Sequence, residues 1–388
     1  MDSFLKTRLN LALEMRLKGF ENITPHLIGP PGVGKTTFVR EWAIEKAREF
    51  NLEFVDADQI LPEEVEYYLQ SPDKYYIFKD CRLTGMDPID ISGQPRPYSN
   101  SKFITYLPLS IARLLHSCAG LLVLEEFLNE TRETMIASSY KIVRDYKIGD
   151  IALNKRVLVV AVSNSAQYSS LVGSIPKPLR DRFDFIEVPG FSVEEWVEWM
   201  DKTYGAENWE CEVLAYLMWK PSDFLANVTD NLSNDNGYEP PATPRGWSYV
   251  ALAFKLLKSK NTRNKDFFRS VAVGKLGNVG ETLMAFLSNK VPSFQELVKN
   301  PAVIVNFNIE QKYLAALTIA ENINANAKNV PLVKKFLESV STKDDREFVS
   351  AFFTFLKKER RLLVYNLVKD NPVVFKCLEA TGRALSPV

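Results

Sequence analysis

The chain has 388 residues, 46% of them hydrophobic, and its 48 lysines and arginines balance its 48 aspartates and glutamates. That length predicts two or three domains, and the even balance excludes a bulk positive charge directed at nucleic acid or an anionic membrane. Cys81, Cys118, Cys211 and Cys377 lie far apart and only two histidines are present, so buried reduced thiols are expected rather than a zinc site.

Residues 1–20 read as an amphipathic, charged helix (Phe4, Leu5, Leu9, Leu13, Leu17) closed by Gly19, not as a secretion signal. No run approaches the roughly 18 uncharged apolar residues of a membrane span, and a cytoplasmic protein is expected. His26, Leu27 and Ile28 end a short buried strand. Next come Gly29, Pro30, Pro31, Gly32, Val33, Gly34, Lys35 and Thr36, which fit the phosphate-loop pattern G-x-x-x-x-G-K-[ST]. Gly32 and Gly34 let the backbone turn tightly enough for successive N–H groups to face one anion. Lys35 adds a point charge for the β- and γ-phosphates, and the Thr36 hydroxyl suits a magnesium ion. From Thr37 to Arg48, apolar residues recur at helical spacing, placing phosphates at a helix N-terminus, with Thr37 among the nucleotide-binding positions. The stretch predicts binding of a nucleoside triphosphate.

Strands are expected at 52–57 and 75–80, with a helix from Pro62 through Tyr68 between them. Gly85 to Pro108 is dense in breakers and reads as an irregular, exposed segment, either a substrate-facing loop lining a pore or a packed connector. A short helix (109–115) precedes Leu121 to Leu124, an apolar run suited to a strand buried on both faces and ending in Glu125 and Glu126. Carboxylates at a strand's carboxyl end, beside the phosphate-loop strand, would face the triphosphate. A helix (131–144), a small hairpin about Gly149 and Asp150, a buried strand ending in Ser163 and Asn164, and a last strand at 185–188 follow. After Pro189 and Gly190 the pattern is helical, with helices at 271–287, 313–325, 330–340 and 347–368. Thr243 and Pro244 suit the cap and first position of another.

In their order and spacing these residues resemble the AAA+ ATPases, and within them the MoxR-type group related to dynein and midasin, over roughly residues 20–290. Gly29 to Thr36 stands as the Walker A motif, Leu121 to Phe127 as Walker B with Asn129 behind it, and Asn164 as sensor 1. Arg180 and Arg182 stand where the arginine finger is found, and Arg245 looks like sensor 2 on a helical lid. Asp87 to Pro95 resembles the insert before Walker B, and Tyr146 to Arg156 the pre-sensor hairpin. The resemblance implies an α/β phosphate-loop domain (1–190), a helical lid (191–290) and a C-terminal helical region (291–388). It also implies ATP and Mg2+ as cofactors, with Thr36 and Glu125 on the metal and Glu126, Asn164, Arg182, Arg180 and Arg245 in catalysis. The implied assembly is a homo-oligomeric, hexameric ring acting on a protein client, such as one carrying a von Willebrand factor A domain. A nucleic-acid motor and a nucleotide-switched assembly factor with little hydrolysis are the alternatives. One departure stands out: Glu125 occupies the position usually held by Asp. The extra methylene moves the carboxylate by roughly 1 Å, and slower hydrolysis is expected to survive.

Overall fold

The computed structural model describes residues 2–20, 22–97, 104–165, 176–190, 192–226, 239–262, 264–341, 346–372 and 374. The chain divides into two compact units, with the break after Gly190. In the first unit, α1 (Asp2–Leu17) buries Leu5, Leu9, Ala12 and Leu13 at the three-and-four spacing of an amphipathic helix. Its last turn carries Arg16, whose buried guanidinium donates to the carbonyls of Val157 (2.7 Å), Leu153 (3.1 Å) and Asn154 (3.0 Å) and lies 4.0 Å from the Tyr146 ring centre. A buried cation satisfied by three carbonyls and an aromatic face pins the helix to the layer beneath it.

The chain continues through β1 (Thr24–Gly29), α2 (Lys35–Glu49), β2 (Glu53–Asp56), α3 (Val65–Gln70) and β3 (Tyr75–Arg82). On α2, Trp42 is buried and its indole N–H donates to Asn10 Oδ1 of α1 at 2.9 Å. The described parts of the breaker-rich segment carry more regular structure than their composition suggests. They form α4 (Pro88–Ser92) and the antiparallel pair β4 (Gln94–Pro97) and β5 (Ile104–Leu107). Pro88 opens the helix and the Asp90 carboxylate accepts from Asp87 N–H, so residues read as breakers serve as caps. Then come α5 (Ser110–Ser117), β6 (Ala119–Glu125), α6 (Glu133–Asp145), the two-residue strands β7 (Lys147–Ile148) and β8 (Ile151–Ala152), β9 (Val157–Asn164), α7 (Lys177–Arg180) and β10 (Phe183–Glu187). The turn between β7 and β8 is the expected one at Gly149 and Asp150. The last strand begins two residues earlier than its apolar pattern suggests, because Thr24 N–H bonds Arg182 O and starts the pairing there.

Among the described residues, six strands form one parallel sheet in the order β10-β1-β9-β6-β3-β2, flanked by helices. β6 and β9 are buried on both faces until their last residues, Glu125 and Asn164. That is the behaviour of central parallel strands, and it leaves the polar ends gathered at the sheet's carboxyl edge.

The second unit is helical: α8 (Val193–Tyr204), α9 (Glu212–Trp219), α10 (Pro244–Ser259), α11 (Lys265–Leu276), α12 (Asn278–Leu287), α13 (Phe294–Lys299), α14 (Ile309–Ala325), α15 (Lys334–Ser341), α16 (Arg346–Phe355) and α17 (Lys358–Val368). One hydrophobic core runs through it from Val193 to Val374, with Trp196, Trp209 and Trp247 buried. Two expected helices are each divided. Gly277, at φ 58°, separates α11 from α12, a left-handed position a side chain adopts only at a cost. Leu356 and Lys357 separate α16 from α17, where Asn324 caps the break by bonding Phe355 O and Lys357 N–H. Among the described residues, no helix is long and apolar enough to cross a membrane.

Candidate nucleotide site

The phosphate loop leaves the end of β1, where Gly29 pairs with Asn164 of β9. Gly32 (φ 73°) and Gly34 (φ 74°) take left-handed backbone, and Gly34 caps α2. Val33 is buried beneath the loop and Pro30 is buried, whereas Pro31 is half-buried. The first amides of α2, at Lys35, Thr36 and Thr37, lack intrahelical acceptors by their position. No acidic residue stands in that first turn, so the helix end favours an anion.

Lys35 is buried, and its ammonium donates to Gly29 O (3.0 Å), Pro30 O (2.7 Å) and Asn164 Oδ1 (3.1 Å). The Thr36 hydroxyl donates to Glu125 Oε1. Lys35, Thr36, Glu125 and Asn164 are therefore gathered by direct hydrogen bonds at the carboxyl edge of the sheet. A hydroxyl in contact with a carboxylate is a pair of hard oxygen donors, the chemistry magnesium selects, and Glu125 reaches Thr36 from the last residue of β6, still in register with β9. Glu126 follows with left-handed backbone (φ 54°), and its carboxylate pairs with Arg82 Nε at 3.5 Å.

The remaining candidates stand on other elements. Arg180 ends α7, exposed, and half-buried Arg182 stands at the amino end of β10. Because β1 and β10 run parallel with Thr24 opposite Phe183, Arg182 sits at the opposite edge of the sheet from Lys35. The length of β1 alone puts about 17 Å between the two edges. Asp184, two residues further along β10, is held by Arg8 in a two-pronged ion pair. Arg245 belongs to the second unit, exposed in the first turn of α10 behind the Thr243 cap, whose hydroxyl accepts from Gly246 N–H at 3.2 Å.

No protein-family model and no curated protein matches this chain. Solved structures do. The Aeropyrum pernix ORC2 protein, in ADPNP–ADP complexes, matches at 12% identity and a TM-score of 0.37, over 97% of this chain and 93% of its own. A single-residue variant of Thermotoga maritima RuvB matches at 17% identity and a TM-score of 0.35, over 88% of each chain. Thermotoga maritima RuvB described as a Holliday junction branch migration motor matches at 17% identity and a TM-score of 0.29, over 79% of this chain and 76% of its own. The sheet order and the site geometry above stand independently of these likenesses.

Several residues at the site carry no motif signal. Asp80 and Arg82 come from the end of β3, which runs two residues beyond the expected 75–80 and sets Arg82 opposite Glu125. Extending that strand and applying the carboxyl-end rule finds both. Glu130 is buried and held by Arg132, through its Nε at 3.0 Å and its backbone N–H at 2.8 Å, while Arg132 also donates to Leu83 O (3.0 Å) and Met86 O (2.7 Å). This ties the turn after Glu126 to the start of the α4 segment.

Burial pushes the Glu125 carboxyl above the usual carboxylate range; the Thr36 hydrogen bond opposes this, Asp80 adds to it, Arg82 opposes it and Glu126 adds to it. A carboxyl whose folded-state pKa is raised costs stability when ionised, and that cost fades as pH falls through the raised value. Glu125→Gln is therefore expected to raise the thermal midpoint of the nucleotide- and magnesium-free protein near neutral pH. The gain should shrink as the pH is lowered from neutral into the acid range, where the native carboxyl takes up its proton. Melting curves across that range check it, and a glutamine variant less stable throughout would contradict the burial argument.

Proposed function

We propose that the chain is an ATP-hydrolysing AAA+ ATPase of MoxR type that works as a homo-oligomeric ring, with a hexamer as the expected size, and remodels a protein partner in the cytoplasm. The observation that carries this reading is the convergence of Lys35, Thr36, Glu125 and Asn164, through direct side-chain hydrogen bonds, on a left-handed glycine loop at a helix N-terminus.

In this reading Lys35 and the amides of residues 32–37 hold the triphosphate, and Thr36 with Glu125 would hold magnesium. When bound, that ion supplies positive charge to the β- and γ-phosphates. Glu126 orients or deprotonates the attacking water, and Asn164 positions it or reads the γ-phosphate. Phosphoryl transfer asks little covalent chemistry of the protein, so cations that meet the spreading charge are the large lever. Arg245, from the helical lid (191–290), serves in cis. Arg182, or Arg180, serves in trans, which accords with a place at the far edge of the sheet from its own Lys35. A protein client suits the even charge balance and the apolar surface of the 85–108 segment, where Ile89, Tyr106 and Leu107 are exposed. A partner with a von Willebrand factor A domain is the candidate that the resemblance to MoxR-type proteins implies, and residues 291–388 are the candidate client-selecting region.

A head-to-tail ring makes one copy's arginine part of its neighbour's site. Arg182→Ala and Glu126→Gln should each be inactive alone. Mixed in equal amounts they should recover about a quarter of wild-type turnover, the share of interfaces pairing an intact Glu126 with an intact Arg182. Negative-stain images of the same samples, with and without ATP, should show rings. A mixture as inactive as its parts, or a fully active Arg182→Ala, would sink the trans role. Turnover stimulated by DNA would point to the nucleic-acid motor instead.

A further inference from the structure

Glu126 keeps a left-handed backbone, φ 54°, in which the Cβ of an L-residue crowds the main chain. Such a conformation persists only where its surroundings hold it. Within the turn, Asn129 N–H bonds Glu126 O at 2.8 Å. Beside the Arg132 and Arg82 contacts described above, Ser163 of β9 anchors the turn through its backbone. Its hydroxyl oxygen accepts from Leu128 N–H at 3.0 Å and shares a second hydrogen bond with His26 Nε2 at 2.8 Å. Ser163 is 2% exposed and His26 is fully buried, with its ring against Phe127, Phe183 and Phe185. The three linked groups come from the strand that leads into the phosphate loop, the strand that ends in Asn164, and the turn that follows Glu126. No motif contains this combination.

We infer that Ser163 is a positioning residue for hydrolysis: it fixes the Phe127–Asn129 turn to β9 and so sets the Glu126 carboxylate relative to Asn164. The inference rests on the ATPase reading above and goes beyond it, because Ser163 is buried and acts through the turn. His26 backs the serine from the other side. Burial drives its pKa down to about 3, so the imidazole stays neutral and the tie holds across the working pH range. The phosphate loop is untouched by the link, so the effect belongs in kcat rather than in ATP binding.

Ser163→Ala and Ser163→Thr, compared with wild type, test it. Alanine should lower kcat about tenfold with KM for ATP unchanged and the thermal midpoint only modestly lower, since the Leu128 amide loses its acceptor, and threonine, which keeps the hydroxyl, should restore kcat to within about twofold. Hydrogen exchange at the Leu128 amide should speed up in the alanine variant only. An alanine variant as fast as wild type would overturn the inference, as would kcat, KM and thermal midpoint moving together, the mark of a merely structural residue. If wild type itself does not turn over, the ATPase reading is what fails. Leu128 exchange then still decides whether Ser163 holds the turn, and unchanged protection in the alanine variant overturns it.

Discussion

Replacing Lys35 by alanine is expected to weaken Mg·ATP binding by a hundredfold or more, roughly 3 kcal/mol, while leaving the fold intact. The ammonium is buried at the loop and already engages three oxygen acceptors, so its position is set before any phosphate arrives. A charge-assisted bond from a preset cation to a phosphate oxygen is among the stronger polar contacts a protein makes. It also acts beside the amide-lined end of α2, where both terms favour the same anion. Burying an ammonium is costly by itself, so its removal should lower the thermal midpoint little. Calorimetric titration with Mg·ATP, alongside melting curves, measures both. Binding within a few-fold of wild type would mean that the loop holds something other than a triphosphate.

Glu126→Gln is expected to lower kcat by about 10²–10⁴, the range lost with a positioned general base, with KM for ATP unchanged or lower. Glutamine keeps the shape and can still point at a water, but accepts no proton. It also releases the Arg82 guanidinium, 3.5 Å from the carboxylate. The contrast with Glu125→Gln sharpens the assignment. Glu125 contacts the Thr36 hydroxyl, so its loss should act on magnesium-dependent binding, whereas loss of Glu126 should act on the chemical step. Titrations of magnesium and of ATP in both variants separate the two. Equal losses of binding in each would mean the two carboxylates do not divide the work.

Much of the site was legible because short-range physics dictates it. Two glycines at left-handed φ, a lysine and a threonine at fixed spacing specify the loop whatever surrounds it. The apolar runs of β6 and β9 state their own burial, and Glu125 and Asn164 mark where it ends. What escaped notice is set by parallel register across distant segments. Nothing local says that Arg82 lies opposite Glu125, or that Arg16 reaches the carbonyls of Leu153 and Val157. Ser163 is a small polar residue in a buried strand until the turn at Leu128 is folded against it. The segment 85–108 misled for a different reason: Pro88 and Asp90 start a helix as readily as they break one, and only the Asp87 cap reveals which.

Trp42 lies on the helix that begins at the phosphate loop, and the chain's other tryptophans, Trp196, Trp199, Trp209, Trp219 and Trp247, all belong to the second unit. The emission of the intact protein is therefore dominated by the helical half. Substituting those five with phenylalanine would leave one fluorophore riding on α2, an optical gauge of events at Lys35 and Thr36. Its quenching or shift on mixing with nucleotide would time loop occupancy in stopped flow, without a labelled ligand and apart from any later rearrangement of the helices.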